Sequence, residues 1–269
     1  EGVFLGRAAG WRCPGRLLRW RGRWRQNRCG SGAGSIRGGR RSDRARGDWC
    51  RQRRPDIESG PCVPFDSKRS DIPFFEVITA AQGLGVYNVP INWHFSAQEV
   101  LHVLQDSGAK ALVIHADLLF GIRHLLPVDL PVIVVETPSL IQEAYAIEAN
   151  ACEPPPGYPV WTEWLAGHEP QVGDTTGAAL TMMYTSGTTG RPKGPALSHC
   201  QFLARWITQF VTLTFTEHDR YLNAIPLYFG GGRSFSMSAL YTGATVILFP
   251  PPYEPKELIE ATARHHATT

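Results

Sequence analysis

From Asp71 to the last residue the apolar positions switch repeatedly between helical spacing and short continuous runs. Phe74 to Leu84 predicts a helix, with Phe75, Ile78 and Thr79 at helical intervals. Val86 to Pro90 predicts a short strand. Ser96-Ala97-Gln98-Glu99 has the form of a capping box, opening a helix with Val100, Val103 and Leu104 on one face and Gly108 as its stop. Ala111 to His115 predicts a buried strand, Leu118 to Leu126 a helix, and Val132 to Val135 a second apolar strand. Four prolines and Gly157 between Ala149 and Pro159 predict a stiff surface connector, followed by a short aromatic helical turn from Val160 to Leu165. Beyond it come strands at Ala178–Tyr184, Ala196–Ser198, Tyr221–Ala224 and Thr245–Phe249, with helices at Cys200–Phe210, Ser234–Tyr241 and Pro255–His265. Proline at the start of that last helix costs no hydrogen bond. Strands alternating with helices predict an α/β fold with mostly parallel sheets flanked by helices.

Residues 1–70 carry no such pattern. The first 54 residues hold 16 arginines, no lysine and 3 acids, a net of +13, with 11 of the 27 glycines and four of the eight tryptophans. The rest holds 11 basic and 21 acidic residues, a net of −10, so the overall +3 conceals two unlike segments. One reading is an Arg/Gly tail that binds nucleic acid by phosphate charge and base stacking. The other is a translation of GC-rich DNA out of frame, which yields arginine without lysine. We favour the second, and expect residues 1–70 to be disordered or poorly packed, with residues 71–269 as the folded part.

The hydrophobic fraction of 43% suffices for a core. No apolar run approaches the ~18 residues of a membrane span, and the start shows no signal-peptide pattern. Six cysteines without a C-x-x-C pair point to free thiols in the cytoplasm rather than to zinc or a disulfide framework.

Chemistry concentrates between Tyr184 and Gly194, in the run YTSGTTGRPKG. Gly187, Gly190 and Gly194 let the backbone approach a ligand closely, and successive amides can form an anion-binding hollow. Ser186, Thr188 and Thr189 add hydroxyl donors. Lys193, one of four lysines, adds a point charge suited to phosphate. A flexible loop alone would not account for that lysine. The run is not the common nucleotide P-loop, because Pro192 precedes the lysine and a strand follows it.

The run resembles the signature loop of the adenylate-forming superfamily, which includes acyl-CoA synthetases, luciferases and peptide-synthetase adenylation domains. Gly85-Val86-Tyr87-Asn88-Val89-Pro90-Ile91-Asn92, the segment Asp106-Ser107-Gly108-Ala109-Lys110, and Gly243-Ala244-Thr245-Val246 are also similar to acyl-CoA synthetases. The resemblance covers residues 71 to 269 and corresponds to the middle of the large N-terminal domain. It implies ATP-dependent activation of a fatty or aromatic carboxylic acid to acyl-AMP, then transfer to coenzyme A. Thr185, Ser186, Gly187, Thr188, Thr189 and Gly190 would hold the β and γ phosphates with Lys193, and Mg²⁺ would bridge phosphate oxygens. CoA ligases, luciferase-like enzymes and carrier-protein-loading enzymes share this loop, so the final acceptor stays open.

Two departures from the family pattern stand out. Pro195 replaces a common valine and fits only a strand edge or strand start. In Pro226-Leu227-Tyr228-Phe229-Gly230-Gly231-Gly232, similar to the family's "P-L-F-H" segment, Phe229 replaces the histidine. Phe229, Gly230 and Gly231 would line the acyl pocket, or Phe229 is a core aromatic before a glycine-rich turn. Nothing here resembles the family's adenine-binding aromatic, ribose-binding Asp, hinge or C-terminal catalytic Lys. The polypeptide as given is therefore expected to show no ligase turnover, and a nucleotide-binding protein without catalysis is the rival reading. His199 is read as a cap or packing residue, and His265 and His266 as favourable cations at a helix end. Glu99 and Asp106 are read as a solvated helical face.

Overall fold

The computed structural model describes the strands at 3–5, 11–13 and 16–18, and residues 62–66, 71–84, 86–168, 180–185, 192–249 and 252–269. The strands are β1 (Val3–Leu5), β2 (Trp11–Cys13), β3 (Arg16–Leu18), β4 (Cys62–Asp66), β5 (Tyr87–Ile91), β6 (Leu112–His115), β7 (Val132–Val135), β8 (Leu180–Met182), β9 (Ala196–Ser198), β10 (Arg220–Asn223) and β11 (Thr245–Leu248). The helices are α1 (Ile72–Gly83), α2 (Ala97–Ser107), α3 (Ala116–Ile122), α4 (Ser139–Ala144), α5 (Ala149–Cys152), α6 (Trp161–Ala166), α7 (His199–Leu213), α8 (Gly230–Tyr241) and α9 (Pro255–Arg264).

Two compact units result. Ala9–Ser59 contains the antiparallel β2–β3 hairpin, with Trp11 opposite Leu18. The second unit, Glu1–Ala8 with Gly60–Thr269, contains everything else. Its main sheet has the order β7-β6-β4-β5-β8-β9, parallel from β7 to β8, with β9 antiparallel at the edge. β5 and β6 are buried at every position, as the continuous apolar runs require of strands covered on both faces. A smaller sheet, β1-β11-β10, joins β10 and β11 in parallel and adds β1 antiparallel to β11.

β4 falls inside the segment expected to lack order, yet it sits mid-sheet between β5 and β6. Its five residues, CVPFD, follow a stretch of sequence without helical or alternating spacing. The structure also adds α4 and α5 to the stretch around the proline-rich connector.

Helix α1 is apolar nearly all round, with Phe74, Phe75, Val77, Ile78 and Ala81 buried. Thr79, expected on the core face, is exposed. Asp71 precedes α1 without capping it; its carboxylate instead accepts a 2.6 Å hydrogen bond from His115 Nε2 at the end of β6, in buried surroundings. Trp161 Nε1 donates to Glu76 at 2.9 Å and joins α6 to α1; burial raises the Glu76 pKa despite that bond.

Helix α2 follows its sequence signals closely. Ser96 and Glu99 form the capping box, and Gly108 closes the helix at φ 66°, a left-handed conformation that glycine adopts freely. Val100, Val103 and Leu104 face the core. Tyr87 Oη of β5 donates to the Ser107 carbonyl at 2.9 Å, fixing the end of α2 to the sheet. Among the described residues no helix is long and apolar enough to cross a membrane.

Candidate functional site

The strand β8 leads directly into the sequence run that carries the chemistry. It pairs with β9 from Leu180 opposite Ser198 to Met182 opposite Ala196. The ladder continues past both strands. Met183 N donates to Pro195 O at 3.3 Å, Thr185 N to Lys193 O at 3.1 Å, and Lys193 N to Thr185 O at 3.3 Å. Thr185 and Lys193 thus form a closed neck, and both are exposed. Ser186, Gly187, Thr188, Thr189 and Gly190, named from the sequence as phosphate ligands, lie outside the described residues. Pro195 precedes the edge strand β9, a place where its missing N–H costs no ladder bond.

Two side chains of α2 reach the neck. Tyr184 Oη donates to Asp106 Oδ2 at 2.6 Å, and His102 Nε2 donates to the Pro192 carbonyl at 3.2 Å. Asp106 is therefore half-buried against the hairpin, which corrects its reading as part of a solvated face. Glu99 is engaged in the cap, where backbone and side-chain hydrogen bonds from Ser96 lower its pKa. A Cβ on Gly194 would lie 2.5 Å from Cε2 and Cζ of Tyr184, so the tyrosine ring rests directly on the returning arm. Sequence reasoning missed His102; its four-residue spacing from Asp106 on a helix was the available signal.

The start of α8 lies beside the same hairpin. A Cβ on Gly230 would lie 2.7 Å from Cε of Met183, two residues before Thr185. Phe229 is the N-cap residue and is 53% exposed, which sets aside its reading as a core aromatic. Its ring lies tilted, with centres 4.5 Å apart, against that of Tyr228, whose ring in turn lies 6.3 Å from that of His94. Gly230 and Gly231 belong to the first turn of the helix rather than to a glycine-rich turn before it. Of Phe229, Gly230 and Gly231, it is Gly230 that meets the base of the hairpin, through Met183.

Other readings change with the structure. Ser198, not His199, caps α7, in a capping box with Gln201. His265 is buried, and burial together with Arg264 lowers its pKa, so the environment disfavours the cation expected there. Cys200 is a free, exposed thiol. Among the described residues no cluster of three or more His, Cys, Asp or Glu could hold a metal.

Arg233 on α8 is the least expected group near the site. It is 3% exposed, Nη1 and Nη2 have no hydrogen-bond partner among the described residues, and the guanidinium lies 5.7 Å from the Phe202 ring centre. Desolvation, then repulsion from Arg205, lowers its pKa to about 10. Below pH 10 both folded and unfolded chains carry the charge, so the native state bears the full cost; above it the folded state sheds the proton first and the cost fades. Arg233→Leu is expected to stabilise the chain by about 1–2 kcal/mol. A thermal melt at neutral pH should show the rise, and a lower melting temperature would contradict it.

The model of the AMP-binding enzyme family matches residues 69–269. The chain belongs to the AMP-binding enzyme family. Among curated relatives, a fatty acid–[acyl-carrier-protein] ligase from Streptomyces coeruleorubidus, ScoC, is 32% identical over 153 residues, 55% of this chain and 25% of its own length. A 2-succinylbenzoate–CoA ligase from Bacillus subtilis is 28% identical over 185 residues, 69% of this chain and 33% of its own. Among solved structures, the anthranilate CoA ligase AuaEII in complex with anthranoyl-AMP superposes with a TM-score of 0.64 at 24% identity, covering 78% of this chain and 39% of that one. The O-succinylbenzoate CoA synthetase MenE from Bacillus subtilis, in complex with ATP and magnesium ion, gives a TM-score of 0.57 at 21% identity, covering 78% and 50%. These likenesses establish the α/β fold. The chain spans no more than half the length of each of these proteins.

Proposed function

We propose that this chain contributes the polyphosphate-binding part of an ATP-dependent acid–thiol ligase. The observation that carries the reading is the closed Thr185–Lys193 neck with its exposed lysine, whose two ends bracket, in the sequence, a run of glycines and hydroxyls. In this reading Thr185, Ser186, Gly187, Thr188, Thr189 and Gly190 hold the β and γ phosphates, and Lys193 offsets their charge. Backbone amides and hydroxyls act by positioning and by neutralising charge that develops in the transition state. Mg²⁺ would be held by the phosphate oxygens of the nucleotide and would help neutralise their charge.

The acid's carboxylate oxygen forms a bond to the α-phosphorus, and the bond to pyrophosphate breaks. The thiol of coenzyme A then displaces AMP from the acyl carbon. The carboxylate is already a nucleophile, so no Ser/His or Cys/His pair is required. Exposed Phe229, with Gly230 and Gly231, forms an apolar wall suited to a fatty or aromatic acid. Three of the four proteins reported are CoA ligases or synthetases for aryl acids, which supports coenzyme A as acceptor, whereas ScoC is named for an acyl-carrier protein. In this reading the reaction takes place in the cytoplasm.

Titration of the full chain with Mg-ATP tests this. Saturable binding that pyrophosphate displaces, and that adenosine does not reproduce, is expected. Equal binding of adenosine, or no competition by pyrophosphate, would refute the role given to the neck.

A further inference from the structure

We propose that Asp106, Tyr184 and His102 are positioning residues that fix the direction of the phosphate hairpin. The inference rests on the reading of Thr185–Lys193 as a nucleotide-binding loop, and assigns it a support on a separate helix.

The neck by itself is weak. Beyond Met182, among the described residues, the two arms share the Met183–Pro195 bond and the reciprocal Thr185–Lys193 pair. Isolated two-stranded ribbons are marginal in water. What steadies this one is α2. His102 and Asp106 are four residues apart, hence on one face of the helix. Each takes a different arm: Asp106 accepts from Tyr184 on the outgoing arm, and His102 donates to the Pro192 carbonyl on the returning arm. With both arms tied to one rigid element, the neck can neither shear nor swing without breaking a hydrogen bond. Pro192 adjoins Lys193, so the bond from His102 also sets the peptide plane from which the lysine extends.

The helix is built to serve as that support. Its start is closed by the Ser96–Glu99 box, and its end is held by Tyr87 through the Ser107 carbonyl. Asp106 lies in the last turn, where the helix dipole disfavours a carboxylate. The 2.6 Å bond from Tyr184 is short and charge-assisted, and compensates for that unfavourable place. Gly194 completes the arrangement, since any side chain there would collide with the Tyr184 ring. None of these groups needs to touch the nucleotide.

The test measures Mg-ATP affinity and melting temperature on the full chain for Tyr184→Phe, Asp106→Asn, the double variant, His102→Ala and His102→Gln, with Lys193→Ala as reference. Each single loss of a neck bond is expected to weaken binding about 5- to 10-fold. The double variant should lose no more than either single one, and His102→Gln, which keeps a donor, should recover much of the affinity lost in His102→Ala. Lower melting temperatures with unchanged affinity well below the melt would overturn the proposal, leaving these bonds a purely structural role. If Lys193→Ala weakens binding while the neck variants do not, the inference alone fails. If Lys193→Ala also changes nothing, the loop assignment fails and takes the inference with it.

Discussion

Replacing Gly232 with alanine is expected to lower the melting temperature by roughly 4–10 °C, a loss of about 2–3 kcal/mol. Gly232 lies in the first turn of α8, where that turn crosses the segment before it. A Cβ there would sit 2.5 Å from the Ile225 carbonyl oxygen and 2.7 Å from that of Pro226. Both are backbone atoms, so no side chain can rotate away and the helix itself must shift. That shift disturbs the contact between Gly230 and Met183 at the base of the hairpin. The sign of the effect is diagnostic. Helix propensity alone favours alanine over glycine by about 1 kcal/mol. Gly231 provides the control, because among the described residues nothing lies within 4 Å of a Cβ at that position. Gly231→Ala should leave stability unchanged or raise it. A thermal melt in which Gly232→Ala also gains stability would contradict the packing described for α8.

The second large effect concerns binding. Lys193→Ala is expected to weaken Mg-ATP about 10- to 100-fold, the usual range for losing a hydrogen bond to a charged group. The side chain is exposed, so stability should hardly change and the loss can be read as binding alone. Lys193→Arg should recover only part of it, because a planar fork does not reproduce a compact ammonium against phosphate oxygens. The deficit should shrink as salt rises, since exposed charges are screened. Affinity within twofold of the original would remove Lys193 from the site.

Most of the elements after Asp71 were legible because each carries its own local signal. The capping box at Ser96, the stop at Gly108 and the proline opening α9 are read from a few neighbouring residues, and all three are present. Strands β5, β6 and β7 announce themselves as apolar runs bounded by turns. What local pattern does not contain is partnership across the chain. β4 follows a segment with no repeating pattern, and only the sheet reveals that it separates β5 from β6. The same holds for the site. Glycines, hydroxyls and a lysine in one run point to phosphate without any structure, whereas Asp106 reads as solvated until Tyr184, 78 positions away, is brought to it. Arg233 is a similar case: an arginine after three glycines looks exposed, and its burial follows from how α8 lies against α7, where Ser234 and Ser238 both donate to Gln209.

The central claim is that the run from Thr185 to Lys193 grips the phosphate end of a nucleotide. Amide hydrogen exchange followed in a peptide covering 185–194 tests it most directly, with the full chain alone, with Mg-ATP, with pyrophosphate and with adenosine. Exchange in that peptide should slow with Mg-ATP and pyrophosphate and remain unchanged with adenosine. Saturating Mg-ATP that slows exchange elsewhere in the chain and leaves this peptide untouched would contradict the account.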